Sequence, residues 1–353
     1  MHPALEQASD ALGIDLPSIR AAQAVTLAKF EDARIAADAH LEQGGSSRNP
    51  DLDIVVFGSI ARDEMSEGSD FDWLVVAHAL SQDPSEFVRY RQAADAGRVA
   101  ISAEKPGQSG LFGTIVGSAE LVNTIGLDHD TNLSHSRRIL MLEESRSLLD
   151  EQRHAALLQA ITARYLYDQQ NRPGGVPRFL LNDVMRYWRT VAVDYQAKRW
   201  QEQHGQKWGS RLLKLRSSRK LTYAGTLVSL FMPALTETDL SPENLTAQWL
   251  MPPLARLAQL STILGERGKD NLRTTLVLAD ELLRYVSDQQ IRRDASDVAH
   301  LREALPGSGL AVASGKTVEL GQALQQLFLE DEPIPSCREP QGLRGLTARY
   351  LLF

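Results

Sequence analysis

The feature that most constrains the fold of this chain is a pair of short apolar runs close together in the sequence, Leu52–Phe57 and residues 70–76. Both are rich in β-branched and aromatic residues and bounded by turn-forming residues, so they predict two buried strands. A glycine-serine pair follows the first run directly, and two aspartates open the second. Between the runs, residues 60–64 are expected to begin a helix.

Helical periodicity dominates the rest of the chain. One helix is predicted before the strands, at 17–43, and one further strand at 111–116, within a glycine-rich stretch. Other helices are predicted at 84–99, 134–149, 155–168, 178–200, 209–232, 246–264, 270–290, 294–304 and 316–329. These patterns indicate an α+β fold: a small mixed sheet followed by a large all-helical C-terminal part.

The length of 353 residues is enough for two domains. We expect residues 1–150 to form the sheet-bearing domain with its N-terminal helix, and residues 151–353 to form a helical domain. The clearest linker is 171–177, where proline and glycine cluster, and the proline-bearing tail at 331–342 is expected to be loop.

The composition excludes several classes of protein. A net charge of −7 argues against a basic protein that coats nucleic acid, and no stable DNA binding is expected. Cys337 is the one cysteine, so neither a disulfide framework within the chain nor a cysteine-based zinc site can form. The N-terminus lacks a signal-peptide pattern, and no apolar run is long enough to cross a membrane, so we expect a cytoplasmic protein.

Asp70 and Asp72 are the strongest candidates for catalysis. Residues two apart in a strand point to the same face, so both carboxylates are expected to converge while Phe71 is buried on the other side. Converging carboxylates repel each other unless a cation lies between them, and Mg²⁺ or Mn²⁺ prefers such oxygen ligands together with substrate phosphates. Gly58 would let the backbone approach a triphosphate, and the Ser59 hydroxyl is a natural phosphate donor.

This arrangement of strand, Gly58-Ser59, strand and Asp70-Phe71-Asp72 resembles the DNA-polymerase-β-like nucleotidyltransferase superfamily. Gly58-Ser59-x-x-Arg62 and the later stretch 137–146 also resemble the bacterial uridylyltransferases that modify a signal protein. The resemblance implies that Asp70 and Asp72 bind the metal ion and catalyse the reaction. It also implies that Gly58 and Ser59 bind the nucleotide.

Members of this superfamily commonly place a third carboxylate on a later strand. Four residues are candidates for it here: Glu120, Glu104, Asp128 and Asp130. Glu120 is preferred because it follows the predicted strand at 111–116 and has an apolar neighbour on each side. Asp130 could equally cap the helix that follows it.

Residues 178–220 are basic within an otherwise acidic chain. By analogy with nucleotidyltransferases, Lys214 is expected to bind the nucleotide phosphates, with Arg211 and Arg216 as further candidates. Tyr187 is a candidate for stacking on the base. The same residues could form a solvated surface with salt bridges inside the segment. Because basic residues alternate here with tryptophans, an RNA-binding module is a further alternative.

The function implied by the resemblance is Mg²⁺- or Mn²⁺-dependent transfer of a nucleoside monophosphate from ATP or another NTP to an acceptor hydroxyl, with release of pyrophosphate. The acceptor could be a protein, an RNA or a small molecule, and the likeness to the uridylyltransferases favours a protein. The alternative within the same fold is a catalytically inactive nucleotide-binding protein.

Overall fold

The computed structural model of the protein describes residues 1–43, 47–79, 83–106, 110–168, 172–201, 208–298, 300–329 and 342–352. Its strands are β1 (Leu52–Phe57), β2 (Asp72–Ala77), β3 (Thr114–Gly117), β4 (Ser145–Ser147), β5 (Arg172–Pro173) and β6 (Asp239–Leu240). Its helices are α1 (Pro3–Leu12), α2 (Pro17–Leu41), α3 (Pro84–Ala100), α4 (Ser118–Asn123), α5 (Asn132–Glu143), α6 (Glu151–Tyr165), α7 (Arg178–Gln201), α8 (Trp208–Arg216), α9 (Ser218–Thr236), α10 (Pro242–Trp249), α11 (Pro253–Ala258), α12 (Glu266–Ser287), α13 (Gln289–Asp297), α14 (Gly309–Leu329) and α15 (Gly342–Thr347).

The predicted α+β fold is confirmed, with a small mixed sheet and a largely helical C-terminal part. None of the helices among the described residues is long and apolar enough to cross a lipid bilayer. Cys337 and nearly all of the predicted tail loop lie outside the described residues.

Four of the predicted helices are wrong in their bounds. The helix predicted at 294–304 covers only the end of α13, which begins at Gln289 and ends at Asp297, and a 3₁₀ turn at Leu301–Glu303. The helix predicted at 134–149 ends at Glu143, because the following residues pair as β4 along β1. The helix predicted at 209–232 is broken at Ser217. The helix predicted at 246–264 is divided into α10, α11 and a 3₁₀ turn, because two prolines at 252 and 253 interrupt it.

The chain forms two compact units. The sheet unit comprises Ala21–Gln170 and Ser241–Pro252, and the helical unit comprises Met1–Arg20, Asn171–Leu240 and Pro253–Phe353. The expected domain boundary at residue 150 stays a prediction.

The sheet unit is built on four strands in the order β3-β2-β1-β4. β1 is antiparallel to both neighbours, whereas β2 and β3 are parallel. All six residues of β1 are buried, as expected for a central strand covered on both faces.

Alternate residues of the two central strands pack on opposite faces of this sheet. Ile54, Val56, Phe71 and Trp73 share one core with apolar residues of α2 and α3. On the other side of the unit, α4 contacts β3, while α5 and α6 contact β4. The second face therefore carries the side chains of Asp53, Val55, Phe57 and Asp72.

Asp53 is a buried carboxyl within β1. The Ser147 hydroxyl donates to it at 3.0 Å, and the same hydroxyl accepts from the backbone N–H of Asp150 at 2.8 Å, at the start of α6. This chain of bonds joins β1, β4 and α6. Burial raises the pKa of Asp53 to about 7, although the Ser147 hydrogen bond opposes the rise.

Asp53→Asn is expected to change how stability depends on pH. Between about pH 4 and 7 the folded protein retains a proton that the unfolded Asp53 carboxyl releases, so the wild type loses stability as the pH rises. The loss is at most about 4 kcal/mol in free energy of unfolding, and the variant lacks it. Urea unfolding should therefore show that the free energy of unfolding of the variant, relative to that of the wild type, is higher at pH 8 than at pH 5. An equal difference at both values would contradict the assignment.

In the helical unit, α12 packs on α14, α13 on α8, and α9 along α11. The crossing of α9 and α11 is close: a Cβ at Gly225 would lie 2.3 Å from the carbonyl oxygen of Pro253. Glycine at this position is therefore required for the two helices to approach. β5 and β6 form a separate antiparallel pair.

Candidate active site

The segment after β1 is a tight turn instead of the predicted helix at 60–64. Gly58 begins it with φ of +73°, and the N–H of Arg62 donates to the Gly58 carbonyl at 2.9 Å. Asp63 then adopts φ of +60°, which ends the helical conformation after one turn. The prediction was wrong because the turn is closed by contacts from distant parts of the sheet unit.

Helix α2 fastens the far side of this turn. The Thr26 hydroxyl accepts from the backbone N–H of Met65 at 2.8 Å, and the Gln23 amide donates to Asp63 at 2.7 Å. Thr26 is fully buried and is the one polar gap in the apolar face of the helix predicted at 17–43. The polar residue at this position is therefore explained by its hydrogen bond to the turn.

Arg62 stabilises the turn through buried ion pairs. Its guanidinium is buried and pairs with Glu64 at 2.9 Å and with Glu144, the residue just before β4. Burial by itself lowers the pKa of Arg62, but the carboxylates of Glu144 and Glu64 raise it above its usual range. Burial likewise raises the pKa of Glu64 against the opposing charge of Arg62. The sequence indicated Arg62 through its motif, but its pairing with Glu144 had no sequence signal.

Asp72 faces the start of the turn. It pairs with Phe57 in the antiparallel register of β1 and β2. A Cβ placed on Gly58 would lie 3.6 Å from Asp72 Oδ2 and 4.0 Å from a terminal nitrogen of Arg62. Gly58, Asp72 and Arg62 therefore meet at one point at the end of β1.

Asp70 precedes β2, and its neighbour Phe71 is buried in the core on the opposite face. Asp70 is exposed, and its carboxylate forms no hydrogen bond or ion pair with a described residue. The Ser59 hydroxyl is partly exposed and likewise has no partner in the described part of the chain. Two polar groups are thus available to a ligand beside Asp72.

The candidates for a third carboxylate lie in different places. Glu104 forms a parallel bridge with Asp70, in which the Phe71 N–H donates to the Glu104 carbonyl at 3.0 Å. Glu120 lies on α4 and accepts from the Ser134 hydroxyl at 2.8 Å. Because paired residues of neighbouring strands point to the same face, Glu104 shares the face of Asp70.

The two remaining acids are Asp130 and Asp128. Asp130 forms an ion pair with the buried Arg138 at 2.6 Å, and Asp128 is exposed. Across the described ranges, no three His, Cys, Asp or Glu side chains come together in a group that could bind a metal ion. The pairing of Asp70 and Asp72 at a metal site stays a prediction.

Residues 110–113, which precede β3, are held against the edge of β2. The Gly113 N–H donates to the Trp73 carbonyl at 2.8 Å, and the Phe112 ring lies 5.2 Å from that of Phe57. Arg137 on α5 donates to the carbonyls of Gly110 and Leu111 at 2.9 and 3.1 Å. Burial lowers the pKa of this arginine. Arg137 lies in the stretch 137–146 that carried the resemblance, and in the structure it contacts residues 110 and 111.

This strand, glycine turn and aspartate pair lie within one stretch that can be compared with known families. Residues 41–99 match the family Nucleotidyltransferase domain. The nucleotidyltransferase match includes β1, the Gly58 turn, Asp70, Asp72 and α3, and it ends before Glu104 and Glu144. No curated protein matches the chain. The narrower likeness to the uridylyltransferases stays a prediction.

The nucleotide-binding residues predicted in the basic segment lie in the helical unit. Lys214 is partly exposed on α8, and Arg211 lies over the Trp208 ring at 4.8 Å. Tyr187 is buried on α7, and its hydroxyl accepts from Arg219 at 3.4 Å. The phosphate role of Lys214 stays a prediction.

Gly58→Ala is expected to reduce activity more than stability. Alanine at φ of +73° costs about 1–2 kcal/mol, and its Cβ would occupy the space beside Asp72 where a phosphate is expected. Gly13→Ala is the matched control, because Gly13 has φ of +63° with nothing within 4 Å. Both variants should lose similar stability in urea, while only Gly58→Ala loses nucleotidyl transfer. Equal activity in the two variants would contradict a role for the turn in catalysis.

Proposed function

We propose that this protein transfers a nucleoside monophosphate from an NTP to an acceptor hydroxyl and releases pyrophosphate. The single observation that carries the proposal is the meeting of the Gly58 turn with Asp72 at the end of β1, within a stretch that matches a nucleotidyltransferase domain. In such transfers the protein contributes positioning and charge neutralisation rather than covalent chemistry.

The residues present fit a hard divalent cation, Mg²⁺ or Mn²⁺. Asp70 and Asp72 supply carboxylate oxygens on one face, and a cation that binds phosphates needs only one or two protein carboxylates. When bound, the cation would neutralise the triphosphate and favour an ionised acceptor hydroxyl. Gly58 leaves space for a phosphate beside Asp72, and the Ser59 hydroxyl would donate to a phosphate oxygen.

For the third carboxylate we favour Glu104 over Glu120. Glu104 adjoins Asp70 through the parallel bridge, whereas Glu120 is engaged by Ser134. The Glu104 side chain would receive the acceptor proton. Lys214 stays our candidate for binding the outer phosphates by analogy.

A catalytically inactive nucleotide-binding protein is the second candidate. It is favoured by the lack of a three-ligand acidic group in the described part of the chain. The two functions differ in turnover, since the inactive protein would bind an NTP without consuming it.

The test is a labelling assay with purified protein in cell lysate. Each of the four α-³²P-labelled NTPs is supplied with Mg²⁺ or Mn²⁺, beside an Asp70→Ala/Asp72→Ala double variant. Label in a macromolecule or small product with the wild type alone supports the proposal and identifies base and acceptor class. NTP binding by the wild type without label or pyrophosphate would favour the inactive protein.

A further inference from the structure

The helical unit contains a segment with strongly segregated charge. Residues 203–236 include no Asp or Glu in a chain whose net charge is −7. The same residues include six cationic side chains: Lys207, Arg211, Lys214, Arg216, Arg219 and Lys220. An acidic protein with one such segment has a local surface that attracts polyanions.

Lys220 shows that part of this charge is not neutralised by the described residues. It is half-buried on α9, and in the described part of the chain its ammonium group forms no hydrogen bond or ion pair. Its Nζ lies against α14, 3.1 Å from the point that a Cβ on Gly321 would occupy. Burial lowers the pKa of Lys220, and the nearby charge of Arg216 lowers it further.

Arg216 ends α8 and is also without a carboxylate partner among the described residues. Two like charges close together in a partly desolvated place repel each other. An anion bound between them would relieve this repulsion. Two partly exposed cations on other helices of the unit differ: Lys269 and Lys316 pair with glutamates at 3.0–3.1 Å.

Aromatic side chains lie beside these cations. Trp188 of α7 stacks on Tyr223 of α9, with ring centroids 5.0 Å apart and planes 9° apart, and both side chains are partly exposed. Tyr223 follows Lys220 by three residues and Arg219 by four, so the three share one side of α9. Cations next to accessible aromatic rings are typical of surfaces that bind single-stranded nucleic acid.

We propose that this surface, formed by Trp188, Arg216, Arg219, Lys220 and Tyr223, binds single-stranded RNA. Arg216 and Lys220 contact phosphodiester oxygens, and a base stacks on the Trp188–Tyr223 pair. The aromatic pair favours RNA over an acidic peptide, because a peptide would use the charges alone. The inference rests on the proposed function in one respect: the bound RNA supplies the acceptor hydroxyl.

The test measures binding of a fluorescein-labelled single-stranded RNA of 12 nucleotides by anisotropy over a range of NaCl concentrations. The full chain is used with Asp70→Ala/Asp72→Ala, so that binding is read without turnover. Adding Arg216→Gln/Lys220→Gln should weaken binding about tenfold and reduce the salt slope by about 1.4. Lys269→Gln/Lys316→Gln removes the same charge and should change affinity less than about twofold. Trp188→Leu should weaken binding about fivefold and leave the salt slope unchanged.

Equal binding by the Arg216/Lys220 variant and its control would overturn the proposal. So would complete displacement of the RNA by an equimolar amount of inorganic triphosphate, or tighter binding of a polyglutamate peptide. RNA binding as expected, with no NMP transfer by the wild type, would refute the proposed function and support the RNA-binding surface. NMP transfer to a protein that is unaffected by Arg216→Gln/Lys220→Gln would refute RNA as the acceptor and support the transferase function.

Discussion

Asp72→Asn is expected to lower kcat/KM for nucleotidyl transfer by roughly 10³-fold, which corresponds to about 4 kcal/mol of transition-state stabilisation. Asparagine keeps the size of the side chain and removes the charge that would hold a cation against the triphosphate. Because Asp72 lies at the meeting point with Gly58 and Arg62, its charge acts where the phosphates are expected. Steady-state pyrophosphate release with saturating Mg²⁺ measures the effect.

Asp70→Asn should give a loss of the same order, and Asp128→Asn is the matched control. Asp128 undergoes the same chemical change at an exposed position, so its variant should retain activity within about twofold. Glu104→Gln should lose more activity than Glu120→Gln if Glu104 receives the acceptor proton. Comparable activity in the Asp72 and Asp128 variants would refute the assigned site.

Arg62→Met is expected to lower the free energy of unfolding by about 3–5 kcal/mol, because it leaves two buried carboxylates without their counter-charge. Arg34→Met is the matched control: Arg34 also pairs with two carboxylates, Glu31 and Asp38, but its side chain is 38% exposed. Exposed pairs contribute little, so this variant should lose less than about 1 kcal/mol. Urea denaturation of the two variants measures the contrast.

The loss in Arg62→Met should also depend on pH. Without Arg62, burial favours the protonated form of Glu64, so the variant is destabilised more at pH 8 than at pH 5. A pH-independent loss would mean that the Arg62 side chain stabilises by packing alone. Similar losses in the Arg62 and Arg34 variants would contradict the buried ion pair.

The strands and the face of the sheet on which Asp72 lies could be predicted from the sequence because local rules determine them. The alternation in β2 places Phe71 in the core and Asp72 on the opposite face, and two β-branched runs indicate buried strands whatever their partners. Helix α2 could likewise be predicted, since the apolar periodicity of its sequence is continuous apart from Thr26.

Long-range contacts determine the rest, and the sequence gives no local sign of them. The turn at 58–65 is closed by Thr26, Gln23 and Glu144, which are distant in the chain, so the helical pattern at 60–64 was misleading. The residues of β4 lie within a sequence pattern that predicts a helix, and they form a strand by pairing with β1. Glu104 could not be ranked above Glu120 until its bridge to Asp70 was known.

The central claim is that the bond broken lies between the α- and β-phosphates of an NTP. Purified protein with Mg²⁺ and its acceptor fraction should be given α-³²P-NTP and γ-³²P-NTP in parallel. The account predicts that the acceptor is labelled from the α-position alone and that labelled pyrophosphate appears from the γ-position. Transfer of the γ-label to the acceptor, or no release of pyrophosphate from any NTP, would contradict it.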